Sequence, residues 1–531
     1  MKRKKETKYF YNVIYWCLAL LVLGFWNSCR TDFEFTPDIN SLSFSKDTVY
    51  LDTVFSNIGS STYTLKVYNR SNNDILIPSL QLGKGENSFY RMNVDGLSGT
   101  GASAGKVFGN VELLAKDSMF VFIETTIDIQ TLSNGNQFLY TDHILFEANG
   151  IEKKVELVTL VKDAIFIYPQ RFPNTDQGGY IYETLSFDAD ADGEDDETNL
   201  QGRFLTDEEL TFTNTKPYVI FGFAGVGQNK LLNIEAGARI HFHANSGLII
   251  TPGGSIHVNG ALSDDPLLLE QAVIFEGDRL EPEFSDIPGQ WETIWLYEGS
   301  TDNYFNHAII KNGTIGLLSD GNANDPTKLI LENTQLYNHI NFGILGRASS
   351  ISGENVVINN AGQSSFAGTI GGRYEFTHAT FANYWSNSFR QFPAVLLNNY
   401  IIDDNNNTIT NDLESAVFTN CIIYGSNSNE LILDEVSGSE FNFYFDHVLL
   451  RFENTNATLG LNYDFQNSLL FNNLIRNSDP QFEAPSANKL LIPNSSSANG
   501  VGIISGHLFQ DILGINRGAL PDLGAYESQE F

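Results

Sequence analysis

A short unit, a His or Asn followed by alternating apolar residues, recurs through the second half of the 531-residue chain. The units begin at His307, Asn333, Asn355, His378, Asn420 and His447. Successive units are 26, 22, 23, 42 and 27 residues apart. A unit of this length cannot bury its own apolar side, so neighbouring units must stack to share a core. The repeat therefore predicts a solenoid of short strands, with a long loop at the 42-residue step.

Short strands start well before the first repeat unit. Residues 231–243 and 247–260 read as very short strands separated by Gly and Asn, with no helix between them. We therefore place the solenoid at residues 231–531. Residues 166–230 hold several Pro and Gly residues and an acidic run. They are predicted to be a linker with an acidic loop and the N-terminal cap of the solenoid.

The first part of the chain has a different periodicity. Apolar and polar residues alternate with period two in residues 48–55, 62–69, 118–125, 143–147 and 154–161. Such alternation, bounded by Gly, Asn and Ser turns, is typical of antiparallel strands in a sandwich. The sequence predicts a β-sandwich at residues 36–165. Because no stretch shows helical periodicity, the predicted fold class of the whole chain is all-β.

Both parts resemble known families. Residues 52–69 resemble the Ig-like domains found beside β-helices in surface proteins, and residues 231–527 resemble the right-handed parallel β-helix, or pectin-lyase-like, class. The stretch 514–527 resembles the closing coil of such β-helices, and 277–300 resembles a recurring block of Bacteroidota lipoproteins. The resemblance implies an Ig-like sandwich followed by a right-handed parallel β-helix. It implies no activity, because one fold hosts many functions.

The N-terminus has the pattern of an export signal. Residues 2–8 are mostly basic, and an apolar run of fourteen residues follows at 13–26. This length suits a signal core and is too short to span a bilayer. Ser28 directly precedes Cys29, which resembles the lipoprotein box of Bacteroidota. The resemblance implies a signal peptide at 1–28, lipidation of Cys29 with fatty acid such as palmitate, and a tether at 29–35. An ordinary secretory signal with an incidental Cys is the alternative.

The same resemblance implies where the mature protein lies. A lipid-anchored protein of this kind is held at the outer membrane, and the acids Asp32 and Glu34 resemble the tag that directs display at the cell surface. A solvated tether is the alternative for these acids. If Cys29 is lipidated, the only thiol left after removal of the signal is Cys421, so no intramolecular disulfide is expected.

The charge of the chain excludes one class of partner. It has 64 acidic and 31 basic side chains, and its formal net charge is −33 at pH 7. Binding to a phosphate backbone needs the opposite sign, so a nucleic-acid partner is not expected.

One acidic run has the spacing of a calcium ligand set. Its carboxylates are Asp188, Asp190, Asp192, Glu194 and Asp196. Acids at positions 1, 3 and 5, followed by Gly193 at position 6, match the first half of a calcium loop. Position 12 would be Asn199, which offers no bidentate carboxylate. The sequence therefore predicts a looser calcium loop, with a solvated acidic loop as the alternative.

Aromatic residues cluster in the solenoid and are candidates for ligand binding. They include Trp291, Trp295, Tyr297, Tyr374 and Trp385. Sugar rings stack on such side chains, and protein partners use them as anchors. Packing within the core or the loops is the alternative.

Candidate catalytic groups are few. His241 and His243 lie two residues apart on one strand and offer a weak metal site without a third ligand nearby in sequence. Arg347 and Arg373 are 26 residues apart and are candidates to stack on adjacent coils, as a lyase would need. The repeated His and Asn residues are expected to satisfy one another along the stack.

The most consistent functional expectation is therefore a non-enzymatic binding or scaffold protein at the cell surface. Its partner would be a glycan or the other subunits of an outer-membrane protein complex. The alternative is a polysaccharide lyase or glycoside hydrolase that acts on an acidic polysaccharide.

Overall fold

The computed structural model describes residues 34–99, 103–131, 137–174, 178–190, 192–321, 324–326, 328–403, 405–454 and 460–531. The chain divides into two compact units. Unit 1 contains the described residues up to 131 and residues 138–161, and unit 2 contains residues 162–531. Among the described residues there are strands and short 3-10 turns but no α-helix, so the all-β prediction is confirmed.

Unit 1 is built from ten strands. They are β1 (Phe35–Thr36), β2 (Leu42–Phe44), β3 (Thr48–Phe55), β4 (Tyr63–Asn69), β5 (Asp74–Leu82), β6 (Tyr90–Val94), β7 (Val107–Leu113), β8 (Ser118–Thr125), β9 (Gln137–Ala148) and β10 (Ile151–Lys162). One sheet has the order β1-β5-β9-β10-β3, with β7 also paired to β5, and the other has the order β2-β4-β8-β6. The pairs β2–β4, β4–β8, β5–β7, β5–β9 and β6–β8 are antiparallel, and β1 pairs with β5 in parallel.

The core of unit 1 follows from the period-two pattern. In β8, Met119, Val121 and Ile123 point inward and are buried, whereas Phe120 and Phe122 alternate with them and are exposed. Inward residues of both sheets belong to one apolar cluster. Because a strand alternates its side chains between two faces, this sequence pattern alone assigns the core side of each strand.

Unit 2 begins with short strands in the region predicted to be linker and cap. They are β11 (Ile165–Ile167), β12 (Arg171–Pro173), β13 (Tyr180–Tyr182), β14 (Thr184–Phe187), β15 (Asp196–Phe204), β16 (Thr211–Phe212), β17 (Tyr218–Ile220) and β18 (Phe223–Val226). Strand β11 already pairs in parallel with β17, so the parallel part of the fold starts at Ile165.

The repeat region supplies most of the remaining strands. They are β19 (Leu231–Glu235), β20 (Arg239–Phe242), β21 (Gly247–Ile250), β22 (Ser255–Asn259), β23 (Val273–Gly277), β24 (Ile294–Leu296), β25 (Tyr304–Asn306), β26 (Ala308–Lys311), β27 (Ile315–Asp320), β28 (Leu329–Glu332), β29 (Gln335–His339), β30 (Phe342–Glu354) and β31 (Val357–Ala361). The last are β32 (Phe366–Thr377), β33 (Thr380–Asn383), β34 (Val395–Asn398), β35 (Tyr400–Ile402), β36 (Thr408–Thr410), β37 (Leu413–Thr419), β38 (Ile422–Gly425), β39 (Leu431–Asp434), β40 (Phe441–Asp446), β41 (Leu449–Leu450), β42 (Phe471–Asn472) and β43 (Ile475–Arg476).

Apart from β35 and β36, which form an antiparallel hairpin, these strands pair in three parallel ladders. Ladder A runs β15-β18-β21-β24-β27-β30-β32-β34-β39. Ladder B runs β16-β19-β22-β25-β28-β30-β32-β37-β40-β42. Ladder C runs β11-β17-β20-β23-β26-β29-β31-β33-β38-β41-β43. The long strands β30 and β32 contribute their first halves to ladder A and their second halves to ladder B.

Parallel pairing brings equivalent positions of successive repeats side by side. Leu317, Ile344 and Phe366 of ladder A are register partners in turn, and all are buried in a single cluster with residues of ladders B and C. The repeat therefore builds a continuous core, as its spacing predicts.

The C-terminal strap, residues 478–531, joins none of the three ladders. Its Leu490, Ile512 and Tyr526 pack against Tyr337 and Val357 on the outer side of ladder C. The backbone N–H of Ala525 donates to Thr380 Oγ1 at 3.1 Å. The stretch 514–527, which resembles a closing coil, therefore runs back over strands that precede it by more than a hundred residues.

Candidate functional site

The repeated His and Asn residues occupy the same turn of the backbone in every repeat. Each lies one or two residues before a ladder C strand and has positive φ, between 44° for His307 and 56° for Asn355. Asn and His tolerate this left-handed conformation better than most residues with a side chain. The amide of Asn355 donates to Asn333 Oδ1 at 2.9 Å, and that of Asn420 lies 3.0 Å from His378 Nε2. The side chains of two pairs of neighbouring repeats are thus hydrogen-bonded to each other, as the sequence predicts.

Ladder A carries an apolar line on its outer side, which we call the outer column. It consists of Ile249, Trp295, Leu318, Leu345, Ala367, Leu396 and Ile432, each the register partner of the next. These residues alternate along their strands with the residues of the core. Seven strands at about 4.8 Å spacing make the column about 29 Å long.

The chain covers the first positions of the outer column with its own hairpin, β14–β15. Leu185 and Phe187 of the hairpin form a cluster with Ile249, and Trp295 and Tyr297 pack at its edge. The Phe187 and Tyr297 rings meet edge to face with centroids 5.1 Å apart. An extended segment with apolar residues at every second position can therefore pack on the outer column.

Beside the covered part lies a polar group. Trp295 Nε1 donates to Asp320 Oδ2 at 2.7 Å, and the Arg347 guanidinium binds both oxygens of Asp320 at 2.5 Å. The hydrogen bonds to Asp320 raise the pKa of Arg347 above its ordinary value. Arg347 is thus a paired cation at the margin of the outer column.

The predicted pairing of Arg347 with Arg373 was wrong. Arg347 is in register with Thr369, whereas Arg373 lies in the ladder B half of its strand and binds Glu414 at 2.6 Å. The strand bends between the two halves, so a 26-residue interval does not put these side chains in one column.

The far end of the outer column opens into a cavity of about 530 Å³. Ile432 lines it together with Phe389, Phe452 and Tyr463. Phe389 is one of the most exposed apolar side chains among the described residues. The loop that carries Phe389 is fixed by a buried ion pair between Arg390 and Glu430, with two hydrogen bonds of 2.8 and 2.6 Å.

Three of the five predicted binding aromatics are part of the packing instead. Trp291 is 1% exposed, stacks on Phe242 at 4.3 Å and donates to the Lys311 carbonyl. Tyr374 is 0% exposed and donates to the Gly371 carbonyl. Trp385 is also buried, with its indole N–H bound to Ser388 Oγ.

Trp291, Tyr374 and Trp385 therefore take the packing role that the sequence analysis gives as the alternative. Their burial follows from an inward position on a strand or loop, which a cluster in the sequence does not reveal. Trp295 belongs to the outer column of ladder A, and Tyr297 lies beside it.

The acidic loop lies at the turn of the hairpin β14–β15. Carboxylate oxygens of Asp188, Asp190 and Asp196 lie within 4.8 Å of one another. Asp192 has a different role, because its backbone N–H donates to Asp188 and Asp190 and its carboxylate accepts the N–H of Glu194. Three of the five predicted calcium ligands are thus brought together, and their hard oxygen donors fit the chemistry of Ca²⁺.

The two histidines proposed as a weak metal site have other partners. His241 is buried, and its Nδ1 lies 3.1 Å from the Gly277 carbonyl. His243 Nδ1 lies 2.7 Å from Asp278 Oδ2, and this hydrogen bond raises the pKa of His243. Among the described residues, the only group of three ligands close enough for a metal is that of the acidic loop.

One further cluster, of two carboxylates and a histidine, is not predicted by the sequence. Glu332 and Glu354 are register partners in ladder B, and His507 of the C-terminal strap lies between them. His507 Nε2 is 2.8 Å from Glu332, and its Nδ1 is 2.8 Å from Glu354. The residues are more than 150 positions apart in sequence, so no local motif could show that they meet.

Comparisons with known proteins leave the family of the chain open. No family profile and no curated protein matches it. Similar solved structures include a family 123 glycoside hydrolase from Clostridium perfringens described for glycolipid glycan hydrolysis (10% identity, TM-score 0.16), over 24% of this chain and 30% of that chain. Another is the ASH/PapD-like domain 7 of human CEP192 (11% identity, TM-score 0.15), over 26% of this chain and 94% of that domain.

A third is the VesB protease of Vibrio cholerae (15% identity, TM-score 0.15), over 24% of this chain and 33% of that chain. The chain thus spans under a third of the length of the glycoside hydrolase. At these TM-scores the similarities carry no functional argument.

The predicted signal peptide and Cys29 lie outside the described residues. Within the described part of the chain, no helix is both long and apolar enough to cross a membrane.

Proposed function

We propose that this protein is a lipid-anchored surface protein of the outer membrane that acts as a non-enzymatic binding scaffold. In this proposal unit 1 is an Ig-like spacer and unit 2 is a right-handed parallel β-helix that presents the binding surface. The three parallel ladders and their shared core support the β-helix assignment. The signal sequence and Cys29 support the anchor.

The observation that carries the binding role is the outer column of ladder A. It is a continuous apolar line without a charged side chain, and it ends in the cavity beside Phe389 and Ile432. Leu318 and Ala367 of this line are buried, whereas Leu345, Leu396 and Ile432 are half-buried. The partly accessible apolar side chains of these three residues support a role as an interaction surface.

The occupant proposed for the column is an extended segment of an outer-membrane protein with apolar residues at alternate positions. The hairpin β14–β15 supports this choice, because Leu185 and Phe187, two residues apart, already fill the first positions in that way. Gly225 allows the close approach, since a Cβ there would lie 2.9 Å from Leu185.

The test is affinity purification of the full lipoprotein from its own membranes. A double variant, Leu345→Glu with Leu396→Glu, places two charges in the column and is expected to lower recovery of the partner at least tenfold. The matched control, Val417→Glu with Tyr444→Glu, makes the same change on the outer side of ladder B. Loss of the partner in both variants, or in neither, would contradict the proposal.

Anchoring is tested separately with Cys29→Ala. The variant is expected to lose labelling by a palmitate analogue and to leave the membrane fraction. If it partitions into membranes as the wild type does, the anchor is not at Cys29.

Calcium is proposed to order the acidic loop. The three converging carboxylates of Asp188, Asp190 and Asp196 support this. A ligand that binds only the folded state raises the melting temperature. We expect Ca²⁺ to raise it in the wild type and in the control Glu208→Gln, an exposed acid nearby, but not in Asp188→Asn with Asp190→Asn. If Ca²⁺ raises the melting temperature equally in all three proteins, the acidic loop is not its binding site.

An enzyme acting on an acidic polysaccharide is the second candidate. The observation in its favour is the pair Glu332 and Glu354, since glycoside hydrolysis uses two carboxylates. A degradation screen of soluble 30–531 protein tests it. Release of reducing or unsaturated sugar that is abolished by Glu332→Gln would replace the scaffold proposal, whereas no turnover would leave it in place.

A further inference from the structure

Unit 2 contains a second cavity, distinct from the outer column, of about 680 Å³. The hairpin β12–β13 and the residues just before it form one side, and residues of β15 and those that follow β17 and β20 form the others. The side chains used below are those of Tyr168, Arg171, Tyr182, Gln201, His243 and Asn245, all of which line the cavity.

Aromatic rings give this cavity faces suited to a sugar. Tyr168 is 61% exposed and Tyr182 is 44% exposed, although both are large aromatic residues. A third ring, that of Phe221, packs on the His243 imidazole with centroids 4.5 Å apart. Rings with one open face and a polar edge stack on the C–H face of a pyranose and still accept hydrogen bonds from its hydroxyl groups.

The charge of the lining is opposite to that of the protein. None of the described residues that line this cavity is acidic, although the chain has a net charge of −33. Arg171 and His243 are its basic groups, and His243 is already paired with Asp278 behind the lining, so Arg171 is the cation offered to a ligand. The guanidinium of Arg171 lies over the Tyr180 ring at 4.7 Å, which holds it at the cavity without neutralising its charge.

Amide side chains complete the lining. Gln201 and Asn245 each offer a donor and an acceptor, the combination that recognises sugar hydroxyl groups. A cationic cavity on a strongly acidic protein draws an anion to one place and repels it elsewhere.

From this juxtaposition we infer that the cavity binds an anionic sugar, a pyranose that carries a carboxylate or a phosphate group. The ring stacks on Tyr182 or Tyr168, the anionic group pairs with Arg171, and Gln201 and Asn245 bind hydroxyl groups. This inference goes beyond the docking of a protein on the outer column and does not depend on it.

The test is calorimetric titration of the full-length protein with three probes at a fixed salt concentration. They are trigalacturonate, glucose 6-phosphate and the neutral sugar maltotriose. We expect one or both anionic probes to bind at least tenfold more tightly than maltotriose, and the tighter of the two identifies the anionic group. Equal affinity for all three, or no binding of either anionic probe at millimolar concentration, would overturn the inference.

Variants locate the binding. Arg171→Gln and Tyr182→Ala are each expected to raise the dissociation constant for the bound probe at least tenfold. The matched control is Arg70→Gln in unit 1, where Arg70 lies over the Tyr68 ring at 4.9 Å in the same arrangement. Unchanged affinity in both cavity variants, or an equal loss in the control, would contradict this site. Partner recovery on the outer column is expected to be unchanged in Arg171→Gln, so the two proposals fail independently.

Discussion

The two units solve the burial of polar groups in different ways. Among the described residues, unit 1 buries one Asn, Asn69, whereas unit 2 buries eight. In unit 1 most of the described pairs are antiparallel, and each strand faces a neighbour of different sequence. In unit 2 a strand faces the same position of the next repeat, so a buried Asn can bind an equivalent residue above or below it. The comparison shows that parallel repetition provides hydrogen-bond partners for polar side chains that are buried.

The largest expected difference between the units concerns ion pairs. Arg390 and Glu430 of unit 2 are 2% and 0% exposed, whereas Arg91 and Glu124 of unit 1 are 46% and 36% exposed. Arg390→Met leaves a buried carboxylate without its partner and should cost about 3–5 kcal/mol of unfolding free energy. Arg91→Met should cost about 0–1 kcal/mol.

Urea denaturation measures both effects. From Cys29 onward the tryptophans all lie in unit 2, so in the proposed mature protein their fluorescence follows that unit, and hydrogen exchange follows unit 1. If Arg390→Met lowers the unfolding free energy by less than about 1 kcal/mol, the buried ion pair does not fix the loop that carries Phe389.

The next effect concerns Asn residues with positive φ. Asn355 of unit 2 is buried, binds Asn333 and the Gln510 carbonyl, and accepts from Arg517. Asn149 of unit 1 has a similar φ of 51° but lies in an exposed turn. Asn355→Ala should cost about 3 kcal/mol, from backbone strain and from groups left unpaired, and Asn149→Ala about 1 kcal/mol. If both variants lose the same unfolding free energy, the hydrogen bonds of Asn355 to its neighbours contribute nothing beyond the preference of Asn for the turn.

A pH effect is expected in unit 2 from His378. Burial lowers its pKa to about 3, so between pH 3 and 6.5 the unfolded chain binds more protons than the folded chain. The stabilisation is therefore complete above pH 6.5 and is lost as the pH falls towards 3, by about 3–5 kcal/mol.

His378→Asn tests this, because Asn occupies the same position in neighbouring repeats. Denaturation curves at several pH values should show a flatter acid limb for the variant than for the wild type. The same slope in both proteins would assign the acid sensitivity to other groups.

The smallest change in unfolding free energy is expected for apolar residues that face away from the core, and it should be similar in the two units. Leu345 lies outside the core of unit 2, and Phe120 lies outside that of unit 1. Leu345→Thr and Phe120→Thr should each change the unfolding free energy by less than about 1 kcal/mol. A much larger loss for Leu345→Thr would show that the outer column is part of the core and not a surface for a partner.

The sequence predicts the strand type of each unit but not every position in it. Period-two alternation assigns Val121 and Ile123 to the core of unit 1 without further information. The His and Asn repeat likewise predicts the parallel stacking of unit 2. The strands β11, β17 and β18 carry no repeat unit, which explains why residues 166–230 read as linker and cap.

Side-chain direction and long-range contacts could not be predicted. Trp291 and Trp295 are four residues apart, yet one lies in the core and the other on the outer side of ladder A. The contact of His507 with Glu332 and Glu354 depends on the path of the C-terminal strap, which has no periodic signal. The cavity beside Arg171 likewise joins five separate stretches of the sequence between residues 168 and 245.

Site-specific photo-crosslinking in native membranes tests the central claim, that the outer column of ladder A receives a protein partner. A photoreactive residue at Leu345 should yield one crosslinked outer-membrane protein, and the same residue at Val417 on ladder B should not. No crosslinked protein from Leu345, or the same product from both positions, would contradict the account.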